Sequence, residues 1–150
     1  MRLLRCWTFA RDELGQSMVE FGLMLPIMVF LVLAGGDMAR GFAIQIAIQN
    51  GARAGAEAAA IDFSPTTTET EARSRDEMSR TPGMDGSAPV VTVSFAHSDA
   101  SACTSTPTVA LPCFATVRVQ YTWHTITAWP LIPNTFSFDR STAMRMIAAP

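Results

Sequence analysis

Between Gly15 and Gly36 the chain reads GQSMVEFGLMLPIMVFLVLAGG, an apolar run interrupted by one carboxylate, Glu20. Length is the first constraint it imposes. The 21 residues from Gln16 to Gly36 reach about 32 Å as a helix, and the hydrocarbon core of a bilayer is about 30 Å thick. The run therefore reads as a membrane-spanning helix. A secretory signal has an apolar core of about 7–15 residues and a small-residue cleavage site. Ala34-Gly35-Gly36 imitates such a site, which leaves a secreted domain behind an ordinary signal as a rival. A carboxylate at mid-bilayer costs roughly 2.5–3.5 kcal/mol, so Glu20 at the edge of the span calls for a task or a partner. Ser17-Met18-Val19-Glu20 supplies one bland answer, an S-x-x-E capping box that starts the helix. Arg2, Arg5 and Arg11 precede the span. They favour a cytoplasmic N-terminus and an exported C-terminal bulk, against Arg40 and Arg53 on the far side.

With 150 residues in all, the chain has room beyond this span for one small domain. Its 11 basic residues, all arginine, are balanced by 13 acidic ones. No basic field exists, and nucleic acid is not an expected partner.

The helical pattern continues past the span. Asp37 to Ala60 holds no proline, and Ala39, Ala43, Ala47, Gly51, Gly55 and Ala59 place small residues at every fourth position. Such a stripe lets backbones approach closely, either on the chain's own domain or on helices of other subunits. Arg53 and Glu57 are spaced to pair along the helix. Pro26, inside the span, removes the bond to the Gly22 carbonyl and calls for a kink or a compensating neighbour.

A polar module follows. Ser64-Pro65 ends the long helix, and Thr68 with Glu71 forms a T-x-x-E box that predicts a short helix to Arg80, closed by Thr81-Pro82-Gly83. Beyond Pro89 the period changes to two. Val91, Val93 and Phe95 form one alternating run; Val117, Val119, Tyr121 and Trp123 form a second; Phe136, Phe138, Arg140, Thr142, Met144 and Met146 form a third. Three amphipathic strands predict a small antiparallel sheet whose apolar face needs cover from a helix. The connection Ala128-Trp129-Pro130-Leu131-Ile132-Pro133 is apolar for a loop, suited to capping the core or to touching a membrane or a partner.

Cys103 and Cys113 flank the segment between the first two strands, and Cys6 stands alone ahead of the span. In an exported domain the pair closes a disulfide worth about 3 kcal/mol in the chain-entropy model. A metal site from Cys103, Cys113, His97 and His124 has no supporting C-x-x-C or H-x-x-x-H spacing. A Cys/His pair oriented by Asp99 can be assembled on paper, yet nothing in the sequence brings those residues together. No phosphate loop or nucleophile elbow is present. The expectation is a non-enzymatic protein with no cofactor and no metal.

A short arginine-bearing leader, Gly15, four uncharged residues, Glu20, Phe21 and then an apolar span resemble the class III signal of type IV pilin-like proteins. The run from Gly15 to Ala60 resembles the N-terminal region of TadE-like pseudopilins of the tight-adherence (Flp) pilus assembly system. The closest parallels are Glu20-Phe21, Pro26 and the stretch Gln49-Asn50-Gly51-Ala52-Arg53-Ala54-Gly55-Ala56. TVRVQYTWHTITAWPLIP and STAMRM are similar to the family's less distinctive strand-rich tail.

The resemblance implies that a prepilin peptidase cuts between Gly15 and Gln16, discarding Cys6. The new Gln16 ammonium would then lie four residues from Glu20, where two ions at the bilayer edge can compensate each other. Glu20 is thereby implied to aid processing or assembly, with Phe21 beside it.

The expected architecture is α+β: a leader over 1–15, a spanning and assembly helix over 16–62, and an exported domain over 63–150. The expected function is that of a minor pilin or pseudopilin of the inner membrane with its domain in the periplasm. It would act in pilus assembly, secretion or adhesion, packing through Ala43, Ala47, Gly51, Gly55 and Ala59 on related pseudopilins or assembly proteins. The alternative is an unprocessed single-pass anchor whose sheet domain binds an envelope partner.

Overall fold

The computed structural model describes residues 13–103, 107–130 and 132–147. Cys6, Arg2, Arg5 and Arg11 lie outside the described residues, as does Leu131. The elements are α1 (Glu13–Ile61), α2 (Thr67–Ser79), β1 (Val90–His97), β2 (Cys113–His124) and β3 (Thr135–Arg145). This is the expected α+β arrangement of a long apolar helix, a second helix and a three-stranded antiparallel sheet. The chain divides into two compact units at the Gly36–Asp37 junction.

The first unit is the front of α1. Its large apolar side chains, among them Leu23, Ile27, Leu31 and Val32, are exposed. The helix runs through Pro26 without interruption. Because α1 begins at Glu13, Ser17 lies inside it, and the S-x-x-E box does not start the helix as expected. Glu13, Leu14 and Gly15 already have helical backbone ahead of it.

The second unit is built around residues 37–61 of α1. Ile44, Ile48, Ala52 and Ala56 are buried in one core with Val91 of β1, Val117, Val119 and Trp123 of β2, and Met78 of α2. The strands are paired in the order β1-β2-β3. The register sets Val91 beside Val119, and Trp123 beside Phe136, so the apolar positions of all strands share one face. Full burial of side chains such as Ile48 and Val117 contributes about 1.5–3 kcal/mol each. A second cluster joins Ala59, Ala115, Cys103, Cys113 and Met146. The end of α1 is stitched to the end of β3 by Ile147 N donating to the Ala60 carbonyl at 3.1 Å.

Small residues on α1 set its spacing from its neighbours. A Cβ on Gly51 would stand 2.5 Å from Met78 Cγ, and one on Gly55 would stand 3.1 Å from both the Thr70 carbonyl oxygen and Ser74 Cβ. Thr70, Ser74 and Met78 are the buried positions of α2, repeating at intervals of one turn. The capping box is shifted from the expected one. Thr66 Oγ1 accepts from Glu69 N at 3.2 Å and donates to Glu69 Oε2 at 2.7 Å. The TTTETE run contains both T-x-x-E registers, and the helix that starts after Thr66 buries Thr70, Ser74 and Met78.

The other sheet face is polar. The Arg118 guanidinium forks onto the Asp139 carboxylate across β2 and β3, with Gln120 Nε2 adding a bond of 3.0 Å. That bond from Arg118 holds the Asp139 carboxyl below the usual range.

Ser74 Oγ is buried against Gly55 without a hydrogen-bond partner among the described residues. Ser74→Ala should therefore raise unfolding stability by about 1 kcal/mol, whereas Gly55→Val should lower it by roughly 1–3 kcal/mol through overpacking. Urea unfolding of the detergent-solubilised protein checks both signs; a loss of stability in Ser74→Ala would mean that the hydroxyl is satisfied after all.

Candidate functional site

Gly15, Gln16, Glu20 and Phe21 are all exposed on α1. Gln16 Nε2 donates to Glu20 Oε1 at 3.2 Å, so the carboxylate is engaged one turn back along the helix. A Cβ on Gly15 would meet nothing within 4 Å, and its φ is not in the left-handed region. Glycine in a helix interior costs about 1 kcal/mol relative to alanine. Neither packing nor backbone geometry therefore requires it there. Gly22, Gly35 and Gly36 are equally open, in contrast to Gly41, Gly51 and Gly55, which face close neighbours.

The small-residue stripe is used within the chain. Ala47, Gly51, Gly55 and Ala59 are buried in the second unit, and Ala43 alone of the five is exposed. Of the two surfaces the periodicity allowed, the chain's own domain occupies this one. The exposed face of α1 instead carries Phe42, Ala43, Ile46, Asn50, Arg53 and Glu57. Arg53 and Glu57 do not form the expected ion pair.

Asp37 was not singled out by its sequence context, and it is a buried carboxylate that accepts from four donors. It is 4% exposed. Oδ1 accepts from Ile126 N at 3.1 Å; Oδ2 accepts from Thr127 N at 3.1 Å and from Trp129 Nε1 at 3.2 Å. Arg40 stands 3.5 Å from Oδ1. Asn134 closes the same loop, its Oδ1 accepting from Trp129 N at 2.7 Å and its carbonyl from Thr125 N at 3.0 Å. The apolar connection after β2 is thus an ordered loop clamped to α1 by one buried carboxylate. The available signal was weak: an acidic residue ending an apolar run, and a tryptophan in a loop whose indole N–H needs an acceptor once buried.

Cys103 and Cys113 are joined as a disulfide with Cα atoms 6.0 Å apart. His97 lies beside it, its Nδ1 3.1 Å from the Pro112 carbonyl oxygen. The ligand atoms of His97, Cys103 and Cys113 fall within 4.8 Å of one another. With both sulfurs bonded to each other, the cluster offers neither a thiolate ligand nor a thiolate nucleophile. His124 sits at the opposite end of β2 from Cys113, near Thr135 Oγ1. Asp99 turns onto Ser101, accepting from its hydroxyl and its amide, which hold the carboxyl below the usual range. The four metal candidates and the Cys/His/Asp99 set are not brought together as working sites.

Two outcomes are expected. Asp37→Ala should accelerate hydrogen exchange at the Ile126 and Thr127 amides while leaving β1 amides unchanged; uniform acceleration would mean that Asp37 supports the whole domain instead of the loop. Cys103→Ser should lower domain stability by about 3 kcal/mol, read as a fall in the urea midpoint that reductant reproduces in the wild-type chain.

No curated protein and no solved structure matches the chain. Residues 15–57, beginning at Gly15 and ending within α1, match the family model described as TadE-like protein, and over this segment the chain is similar to that family.

Proposed function

We propose that this chain is a non-enzymatic minor pilin or pseudopilin of a tight-adherence (Flp-type) pilus or related secretion system. A prepilin peptidase cuts it between Gly15 and Gln16, and it acts in pilus assembly by helix packing with related pseudopilins or assembly proteins. The observation that carries the reading is the TadE-like match beginning at Gly15. It falls on a helix long and apolar enough to cross a membrane whose most apolar window is 0% buried. An apolar helix without cover needs lipid or other helices around it. Residues 16–36 span the bacterial inner membrane with the N-terminus cytoplasmic, and the disulfide-bonded second unit stands in the periplasm, where such bonds persist.

Glu20 and Gly15 serve processing. After cleavage the Gln16 ammonium replaces the side-chain amide as a charged partner for Glu20, within one subunit or between neighbours. Because Gly51 and Gly55 are filled from within the domain, contact with other subunits passes through the exposed face of α1 around Phe42, Ala43 and Ile46. A bulky residue at Gly51 would disturb folding before it disturbed assembly.

The test is the intact mass and N-terminal sequence of the membrane-extracted chain, expressed with and without prepilin peptidase. The expected product begins at Gln16 only when the peptidase is present, and Gly15→Val abolishes it. An uncut chain in both cases would establish the plain membrane anchor, and a cut after Gly36 would establish a secreted domain.

A further inference from the structure

We infer that the corner of the domain closed by Cys103 and Cys113 is, in its reduced form, a binding site for a thiophilic divalent cation of the Zn(II) type, with His97 Nε2 and the two cysteine thiolates as ligands.

The backbone places these three residues together without help from the disulfide. His97 and Cys113 are register partners at the paired ends of β1 and β2. After His97 the chain turns back on itself: His97 N donates to the Ser101 carbonyl at 2.8 Å, and Ala100 N donates to the His97 carbonyl at 3.0 Å. Ala96 and Ala102 then form an antiparallel bridge, which returns Cys103 alongside Phe95. On the other side, Met146 N donates to the Cys113 carbonyl at 2.8 Å. Reduction breaks the bond between the sulfurs and none of these.

A ring nitrogen of His97 and the two sulfurs lie within 4.8 Å of one another. Ligand atoms of a tetrahedral Zn(II) ion, with bonds of about 2.0–2.3 Å, stand about 3.5–3.8 Å apart. Rotation about the Cα–Cβ bonds of the cysteines, whose Cα atoms are 6.0 Å apart, supplies the adjustment.

The chemistry of the set points the same way. His97 Nδ1 stands 3.1 Å from the Pro112 carbonyl oxygen. A carbonyl only accepts, so Nδ1 carries the proton and Nε2 keeps its lone pair, the arrangement usual for a metal-bound imidazole. The surroundings are apolar: Ala59, Ala115, Met146 and Phe95 pack with the cysteines, and His97 is 7% exposed. Burying a net charge there is costly. Two thiolates and a neutral imidazole around a divalent cation sum to zero, whereas the same set around a monovalent cation stays negative. Charge therefore selects a divalent ion, and the sulfur donors select a thiophilic one. His124 lies at the far end of β2, so the fourth position falls to water.

Every chain leaves the ribosome with free thiols, so the reduced form precedes the disulfide. Each thiol gives up a proton as it takes the cation. A disulfide-bearing oxidoreductase then accepts two electrons from the bound thiolates and, with two protons from water, becomes a dithiol. The bond between Cys103 and Cys113 forms and the cation is released. The corner is held first by coordination and afterwards covalently.

The experiment uses the full detergent-solubilised chain with Cys6→Ser, reduced by a phosphine that ends as its oxide, with Co(II) as the spectroscopic probe and Zn(II) as its competitor. The expected result is a single Co(II) site with thiolate-to-cobalt charge-transfer absorption and the visible bands of a tetrahedral ion, abolished by Zn(II) and absent from the oxidised chain. Loss of an outer-shell partner costs about 10–100-fold in metal affinity, so His97→Asn, which removes a ligand, should weaken Zn(II) binding at least about tenfold. Zn(II) should also raise the urea midpoint of the reduced wild-type chain and leave that of Cys103→Ser unchanged. Equal affinity in His97→Asn overturns the site, as does an undiminished Co(II) spectrum in the urea-unfolded chain, because the fold then contributes nothing. Failure of Zn(II) to raise the midpoint of the reduced wild-type chain overturns it whatever the variants do.

Discussion

The close approach of residues 37–61 of α1 to the sheet and to α2 is the contact on which the folded unit depends. A three-stranded sheet of this size cannot cover its own apolar face, and here one helix closes it. Closure requires the helix backbone to come near, which is why glycine and alanine occupy the contacts. Trp123 lies 3.4 Å from where a Gly41 Cβ would be, Met78 and Ser74 close on Gly51, and Ser74, Thr70 and Val117 close on Gly55. The larger residues that fill the core, Ile44 and Ile48, stand between these positions and interdigitate with Val117, Val119 and Trp123.

This arrangement changes the meaning of the small-residue repeat. Spacing of four along a helix reports that something approaches closely; it does not report what approaches. In this chain α2 answers with its own stripe of Thr70, Ser74 and Met78. That stripe is polar at two of its three positions, so hydrophobicity alone would not have marked it as an interior surface. Thr66 and Thr68 are both followed by glutamate three residues later, so the pattern offered two boxes, and the one at Thr66 forms.

Much of the remainder was legible. Alternation of apolar residues defined the three strands, and their cross-strand register follows from keeping one apolar face. The disulfide followed from two cysteines in a segment expected to be exported. Asp37 escaped because its role is long-range. Its partners lie about ninety positions away in sequence, two of them are backbone amides carrying no side-chain signature, and the third is an indole in a connection whose sequence suited capping the core or touching a membrane or a partner. The residues proposed for processing stand differently. Gly15, Gln16, Glu20 and Phe21 are exposed on a helix with no packing role for glycine, so their reading comes from pattern and from the TadE-like match, not from contacts within the fold.

The two halves of α1 therefore solve opposite problems with one continuous backbone. Ahead of Gly36 the side chains are apolar and uncovered; after it, the buried stripes face the chain's own sheet and second helix. Asp37 stands at that change, and a buried carboxylate there has a physical logic. An apolar residue at this point would let the hydrophobic run continue. A carboxylate whose lone pairs are taken by two amides and an indole cannot enter the hydrocarbon without abandoning them. It ends the apolar run and begins the domain in a single residue. What remains free on the second half of the helix, the face carrying Phe42, Ile46, Asn50, Arg53 and Glu57, is mixed apolar and charged. Such a face combines exposed apolar side chains with charged ones that keep it solvated.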